Sequence, residues 1–366
     1  GILMQRNTSA QLKAAEALAL LASRSSVMRT AIVHAGAIEP LVQLLGSGTR
    51  SEKGTPPERA AAVLSDLARF SEGKVEMARA GGIKPLVLML SSTCDSARTH
   101  ASCALRHLSA IQENKAEILE LSGIEKFVDL LSDANPDTQR HACYALWQLA
   151  TTVDSKVTIV EAGGIKPLVE CMKDIRRDAP HTQEVKPDSA AVVTNGAALT
   201  EFHQSPPVPR PVPSPAPPLT GLIERSPETK ESAVAMLAEL ARNQGDHRHE
   251  IVRHGGIEPM VELLCKGTPA AQKYAACAIW GISQESQHRR LIAEMRGAIA
   301  QLVDLLRQLE GETQGFAAST LVCMAQDKVG KEKILGVGGA GPLMTIALGP
   351  TSWLRARCVE VLRLLG

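Results

Sequence analysis

The chain has 366 residues, of which 44% are hydrophobic, 22% are charged and only 2% are aromatic. Such a chain can bury ample apolar surface with Leu, Ile, Val and Ala, which is typical of helices packed on helices. Forty basic residues against thirty-nine acidic ones give a formal charge of +1. No global field therefore draws nucleic acid or an anionic membrane to the chain, and we expect no direct nucleic-acid binding. No apolar run approaches the roughly 20 residues of a membrane-spanning helix.

One phrase recurs along the chain with a nearly constant period. The copy that begins at Ala80 reads AGGIKPLVLML. The copies begin at Ala35, Ala80, Leu121, Ala162, His254, Met295 and Gly336. The isoleucine of the phrase, which is replaced by Ala340 in the last copy, recurs after 45, 41, 41, 92, 42 and 41 positions. These residues are Ile38, Ile83, Ile124, Ile165, Ile257, Ile299 and Ala340. A period near 41 residues predicts a solenoid of stacked helical units.

Each copy of the phrase predicts two helices joined by a sharp turn. The glycines end the first helix, because a helix stop favours a residue that tolerates positive φ. A proline such as Pro85 or Pro167 then lies in the first turn of the second helix, where its missing N–H breaks no bond. A longer third helix follows, as in PDTQRHACYALWQLA from Pro136, with apolar residues at helical spacing.

Three helices in about 41 residues, a glycine turn and a third helix ending in ALWQLA (145–150) or ALRHLS (104–109) resemble the armadillo repeat. HEAT repeats are the near alternative, but the glycine turn and the three-helix unit favour armadillo. The resemblance implies an all-α fold, a right-handed superhelical armadillo solenoid of about seven three-helix repeats. It also implies that the third helices line a concave groove.

We interpret residues 1–366 as a single armadillo-repeat domain. Residues 8–22 are predicted to be the third helix of a preceding repeat. The predicted full repeats are 25–70, 72–110, 113–151, 154–241, 246–284, 286–326 and 328–366.

The interval of 92 residues places an insertion inside the fourth repeat. Removal of residues 175–225 restores the period of 41, so this stretch is predicted to be one long Pro-rich loop between the second and third helices. It contains SPPVPRPVPSPAPPLT (205–220), expected to be extended polyproline II. Residues 189–202 could form a small hairpin or lack regular structure, and a smaller insertion is expected near 50–55.

The proline run could be a semi-rigid spacer or a ligand for a proline-reading partner. Its candidate contact residues, which we call the insertion arm, are Pro207, Pro209, Arg210 and Pro211. The flanking residues do not favour the ligand interpretation, so we expect a spacer.

The predicted third helix of the second repeat carries His100, Cys103 and His107 on one face, and His141 occupies the matching position of the next repeat. This chemistry suits a transition metal. Helical spacing makes such coincidences common, so we expect a partner-binding groove and no metal site. The candidate partner-binding groove residues are His100, His107, Arg140, His141, Tyr144 and Gln148.

Two tryptophans, Trp147 and Trp280, fall one residue before the position at which importin-α-like relatives carry a cargo-binding Asn. We expect both to pack at contacts between repeats. The Asn position itself holds Gln148 in the third repeat and Glu239 in the fourth, so the Asn ladder of that branch is missing.

These observations predict a non-enzymatic scaffold or adaptor that binds an extended peptide or a helix in its groove. It could be a structural subunit of a large assembly. The alternatives are a nuclear transport cargo receptor of the importin-α type and the interaction domain of a larger enzyme such as a ubiquitin ligase. No catalytic residue and no cofactor is predicted. Eight cysteines without metal-ligand spacing favour a reducing, intracellular compartment, expected to be cytoplasmic, with ciliary, cytoskeletal or nuclear locations open.

Overall fold

The computed structural model describes residues 2–4, 7–46, 53–176, 222–223, 225–243, 245–308, 311–349 and 352–366. The chain divides into two compact units. The first joins Gly1–Lys173 with Arg225–Gly366, and the second is Asp174–Glu224. Among the described residues, no helix combines the length and the apolar character needed to cross a membrane.

The described part of the first unit is a succession of three-helix repeats that follows a short 3-10 helix, Ile2–Met4, and a long helix α1, Thr8–Arg24. The first helices of the repeats are α2 Ser26–His34, α5 Ser71–Arg79, α8 Gln112–Glu120, α11 Val153–Glu161, α14 Gly245–Arg253, α17 Ser286–Glu294 and α20 Lys328–Gly336. The second helices are α3 Ile38–Gly46, α6 Ile83–Met89, α9 Gly123–Leu130, α12 Ile165–Met172, α15 Ile257–Lys266, α18 Ala298–Gln308 and α21 Ala340–Leu348. The third helices are α4 Pro56–Leu67, α7 Asp95–Leu108, α10 Pro136–Leu149, α13 Pro227–Asn243, α16 Pro269–Ser283, α19 Glu312–Met324 and α22 Ser352–Leu365.

The two glycines of the recurring phrase have different roles in the turn. Gly163 has a φ of +76° and donates its N–H to the Val160 carbonyl at 2.9 Å, which ends α11. Gly164 has an ordinary helical φ, but a Cβ there would lie 2.8 Å from the Ile159 carbonyl oxygen. Positive φ is therefore required only at the first glycine, whereas the second permits a close approach of the two helices.

The joint between a third helix and the next first helix also depends on one position. At Gly73, at the start of α5, a Cβ would lie 2.2 Å from the Leu67 carbonyl oxygen at the end of α4. One repeat later, the buried Asn114 donates its Nδ2 to the Leu108 carbonyl at 3.1 Å. At these two joints the position thus holds either a residue without a side chain or a side chain that satisfies the open carbonyl.

The third helices pack against one another in chain order, from α1 through α4, α7, α10, α13, α16, α19 and α22. We call the surface that they form the third-helix face. The helix α13, which follows Arg225, packs against both α12 and α10, which precede Lys173. The stack of repeats in the first unit is therefore unbroken, although the chain leaves this unit between Lys173 and Arg225. The apolar core is one cluster of Leu, Ile, Val and Ala that extends through every repeat.

The second unit begins and ends with two-residue strands. Strand β1, Ile175–Arg176, pairs antiparallel with β2, Leu222–Ile223, in the register Ile175 to Ile223. The sequence analysis did not predict this pairing, because two-residue strands carry no periodic signal. The possible hairpin at 189–202 and the proline run at 205–220 lie outside the described residues.

Candidate functional site

The predicted groove residues lie on two neighbouring third helices. His100 and His107 belong to α7, and the other four belong to α10, which packs against α7. The four on α10 are Arg140, His141, Tyr144 and Gln148. The two helices thus bring the six residues to adjacent positions, where five are partly exposed and His141 is buried.

The histidines of this region are held in their neutral form. His141 has only 7% of its surface exposed. Burial, followed by the charges of Arg106 and Arg140, lowers the pKa of His141 to about 3. Burial and then Arg106 lower the pKa of His107 to about 4. Neither His141 Nδ1 nor His107 Nε2 has a hydrogen-bond partner in the described structure.

The geometry does not form a metal site from these histidines. His100 lies 3.9 Å from a Glu58 carboxylate oxygen, and burial lowers the pKa of His100. Burial raises the pKa of the Cys103 thiol, so this side chain stays protonated. In the described part of the chain, no three His, Cys, Asp or Glu side chains are arranged to hold a metal ion.

A cluster of aromatic rings lies beside the histidines. The Arg106 guanidinium lies 4.8 Å from the Tyr144 ring centroid, and Gln148 Nε2 donates to the Tyr144 hydroxyl at 3.1 Å. Tyr144 meets Trp147 edge to face at 5.5 Å, and Trp147 meets Tyr274 in the same way at 5.9 Å. We call Tyr144, Trp147 and Tyr274 the aromatic cluster; all three are half-buried.

The aromatic cluster forms because the helix between its members carries small residues. Trp147 is on α10 and Tyr274 is on α16, while α13 packs between these helices. At the positions of α13 that match His141 and Tyr144 stand Ser232 and Ala235, both buried. The large rings of the two flanking helices can therefore approach each other above α13.

A second feature of the third-helix face is a cavity of about 160 Å³ nearer the C-terminus. Its lining residues are Trp280, Glu312, Gly315, Phe316, Ser319 and Arg357. Trp280 and Phe316 have ring centroids 5.8 Å apart, and Glu312 is paired with Lys273 at 2.8 Å. The cavity is thus an aromatic recess bordered by charges of both signs.

The sequence analysis missed part of this surface. It expected Trp147 and Trp280 to pack at repeat contacts. Trp147 does pack against the core, but its ring is half-exposed in the aromatic cluster, and Trp280 lines the cavity. Arg106 and Tyr274 were not candidates, although helical spacing from Tyr144 and the next third helix could have found them. The insertion arm, Pro207, Pro209, Arg210 and Pro211, lies outside the described residues.

Comparison with protein families identifies two of the repeats directly. The family model described as Armadillo/beta-catenin-like repeat matches residues 70–110 and 112–151, which carry α7 and α10. No curated protein matches the sequence.

Solved structures extend the likeness to the whole chain. An engineered protein of the Northeast Structural Genomics Consortium has 25% identity and a TM-score of 0.68, covering 100% of this chain and 76% of its own. A computationally designed armadillo repeat protein for modular peptide recognition has 21% identity and a TM-score of 0.55. A designed armadillo repeat protein in complex with the peptide (KR)4 has 18% identity and a TM-score of 0.54. Each of these two covers 78% of this chain and 99% of its own, and all three confirm the predicted solenoid fold.

Proposed function

Because this chain is an armadillo-repeat protein, we propose that it is a non-enzymatic scaffold that binds a segment of a partner protein along its third-helix face. The proposal rests above all on one observation, the half-buried aromatic cluster of Tyr144, Trp147 and Tyr274. Such rings offer large apolar area at low entropic cost, and Trp, Tyr and Arg are the residues that dominate protein interfaces.

The two aromatic features of the face suit an extended occupant. Neighbouring packed helices lie about 8–10 Å apart, and an extended chain advances about 3.3 Å per residue. One third helix therefore corresponds to about three residues of a partner that crosses the helices. One to two helix spacings separate the aromatic cluster from the Trp280 cavity. Two apolar partner residues about three to six positions apart could therefore occupy both.

The structural neighbours favour a peptide over a folded domain as the occupant. One neighbour is designed for modular peptide recognition and another holds the peptide (KR)4. We extend the peptide-binding mode to this chain as a proposal, with an amphipathic helix as the other shape that such a face can take.

No observation favours the alternative functions over a general scaffold. In the importin-α branch the clamping Asn residues recur on the third helices, whereas Gln148 and Glu239 occupy those positions here. A role as a cargo receptor is therefore not proposed. Nothing in the described part of the chain points to a ubiquitin ligase.

We place the scaffold in a reducing compartment, with the cytoplasm as the simplest location. All eight cysteines are free. The Arg225 Nη1 donates to the Cys171 thiol at 3.6 Å, and both Cys171 and its neighbour Cys143 are buried without a disulfide. Free buried thiols are typical of intracellular proteins.

The proposal is tested by affinity capture with quantitative mass spectrometry from an extract of the source cells. The bait is the full chain, the chain with Tyr144→Ala and His107→Ala, or the chain with Leu88→Ala. Leu88 is a matched control, because it is a large apolar residue that is 54% exposed on a second helix. We expect the double variant to lose its specific partners by about tenfold or more, as loss of an aromatic anchor does. Equal capture by all three baits would contradict the proposal, provided that circular dichroism shows equal helicity.

A further inference from the structure

Three arginines lie on or directly after the neighbouring third helices α4, α7 and α10, two of which carry the predicted groove residues. Arg69 follows the end of α4, Arg106 lies in the last turn of α7, and Arg140 lies in the first half of α10. Apart from burial, the charges of all three arginines lower the pKa of His141. The helices α4, α7 and α10 pack side by side in that order, so the three arginines belong to neighbouring segments of the stack.

The positive charges are only partly balanced. Arg140 pairs with Asp137 at 2.7 Å. Within the described structure, neither Arg69 nor Arg106 has a carboxylate within 4.0 Å, and Arg106 Nε is buried without a hydrogen-bond partner. The histidines add no charge near neutral pH, and an arginine stays charged at any physiological pH. Two guanidinium groups thus remain available to an anion.

The same arginines adjoin the aromatic cluster. Arg106 is half-buried and lies over the Tyr144 ring at 4.8 Å, so its guanidinium borders the aromatic cluster. An arginine fork binds carboxylate and phosphoryl oxygens in pairs. A ligand that reaches Arg106 therefore meets aromatic surface on its next few residues.

Three acidic side chains on α13 and α19 already have partners. Glu239 accepts from Lys156 at 3.0 Å, Glu231 accepts from the Thr268 hydroxyl at 2.7 Å, and Glu312 is bound to Lys273. Affinity for nucleic acid grows with the number of phosphates that the protein neutralises, and two available arginines supply few such contacts.

We propose that the occupant of the third-helix face is an acidic peptide segment, with a carboxylate or phosphoryl group on Arg69 and Arg106 and an apolar residue on the aromatic cluster. This inference rests on the proposed function. The helix spacing places the acidic residue and the apolar residue about three to six positions apart in an extended partner. The anionic group of the peptide matches the positive arginines, its apolar residue matches the aromatic rings, and the spacing of the two matches the distance between arginines and rings.

The test is selection of 12-residue peptides from a displayed random library on the full chain. We expect enrichment of Asp or Glu three to six positions from an aromatic or aliphatic residue. If the enriched peptides are neutral or basic and their binding is lost in the Tyr144→Ala variant, the acidic assignment is overturned but the proposed function stands. No enriched peptide, or binding that is indifferent to Tyr144→Ala, would overturn both.

A selected acidic peptide is then measured by fluorescence anisotropy against charge variants. We expect Arg106→Glu to weaken binding by about tenfold or more, Arg106→Lys to weaken it less, and added salt to weaken it further. The matched control Lys84→Glu reverses an exposed charge on α6 and should leave affinity within about twofold. Equal losses for Lys84→Glu and Arg106→Glu would refute a local site.

Three further ligands decide what the arginines recognise. In the first, phosphoserine replaces the acidic residue of the selected peptide. If this peptide binds as tightly as the one with Asp or Glu, the arginines accept a phosphoryl group as well as a carboxylate. If it binds more weakly, the site is specific for carboxylates. The peptide (KR)4 is expected not to bind, and its binding would contradict the charge argument. Binding of a 12-nucleotide single strand as tight as that of the acidic peptide would replace the protein partner with nucleic acid.

Discussion

The buried histidine beneath the third-helix face predicts a specific loss of stability in acid. Burial and the neighbouring arginines lower the pKa of His141 to about 3 in the folded chain, whereas an unfolded histidine titrates near 6.5. Because the folded pKa lies below the unfolded one, the unfolded chain takes up the proton more readily as the pH falls. The stability contributed by neutral His141 is therefore complete above about pH 6.5 and is lost as the pH falls toward 3.

The size of this loss follows from the two pKa values. Between them, the free energy of unfolding falls by about 1.36 kcal/mol for each pH unit, so a change from about pH 7 to about pH 5 removes about 2 kcal/mol through His141 alone. His100, His107, His247 and His288 also have lowered pKa values and add to the loss in the same direction. Only a comparison with a variant isolates His141.

The assay is urea unfolding near pH 7 and near pH 5 for the full chain and for His141→Gln, which has no imidazole to protonate. We expect the free-energy difference between the two pH values to be smaller in His141→Gln by about 2 kcal/mol. In parallel, the imidazole NMR signal of His141 should not titrate above about pH 4. An unchanged pH dependence in His141→Gln, or a His141 signal that titrates near 6.5, would refute the reasoning.

Two further predictions concern stability. Gly73→Ala should lower the free energy of unfolding, measured with urea, by about 1–2 kcal/mol, because the new Cβ would lie 2.2 Å from the Leu67 carbonyl oxygen. The control Gly46→Ala, whose Cβ would have nothing within 4 Å, should be neutral or slightly stabilising. Equal effects of the two substitutions would contradict the close-packing argument. Removal of residues 175–224 with retention of Arg225, which donates to Gln139 and Cys171, should preserve helicity and cooperative melting, whereas loss of either would show that the insertion is required for the stack.

The repeat architecture could be predicted from the sequence because each repeat contains the same short-range sequence pattern. The glycine of the turn and the proline of the next helix recur at a fixed period, and each signal is read within a few residues. The aromatic cluster could not be predicted in this way. Its members Trp147 and Tyr274 are separated by 127 positions along the chain, and they meet across the small residues Ser232 and Ala235 of α13. Side-chain size on an intervening helix carries no periodic signal.

The packing of the repeats leaves positions on the third-helix face without a structural role, which suits the proposed binding of a partner. First helices use side chains such as Asn114 to satisfy the carbonyls at the helix joints, and second helices begin at glycines whose replacement would clash. On a third helix the residues that stack on the next repeat are small and buried, such as Ala142 and Ala145 on α10. Partly exposed residues near them, including Arg140 and Tyr144, are not buried in the core. Charge and aromatic character can therefore vary there without disturbing the stack. This freedom is why we propose that the arginines beside the aromatic cluster set the choice of partner.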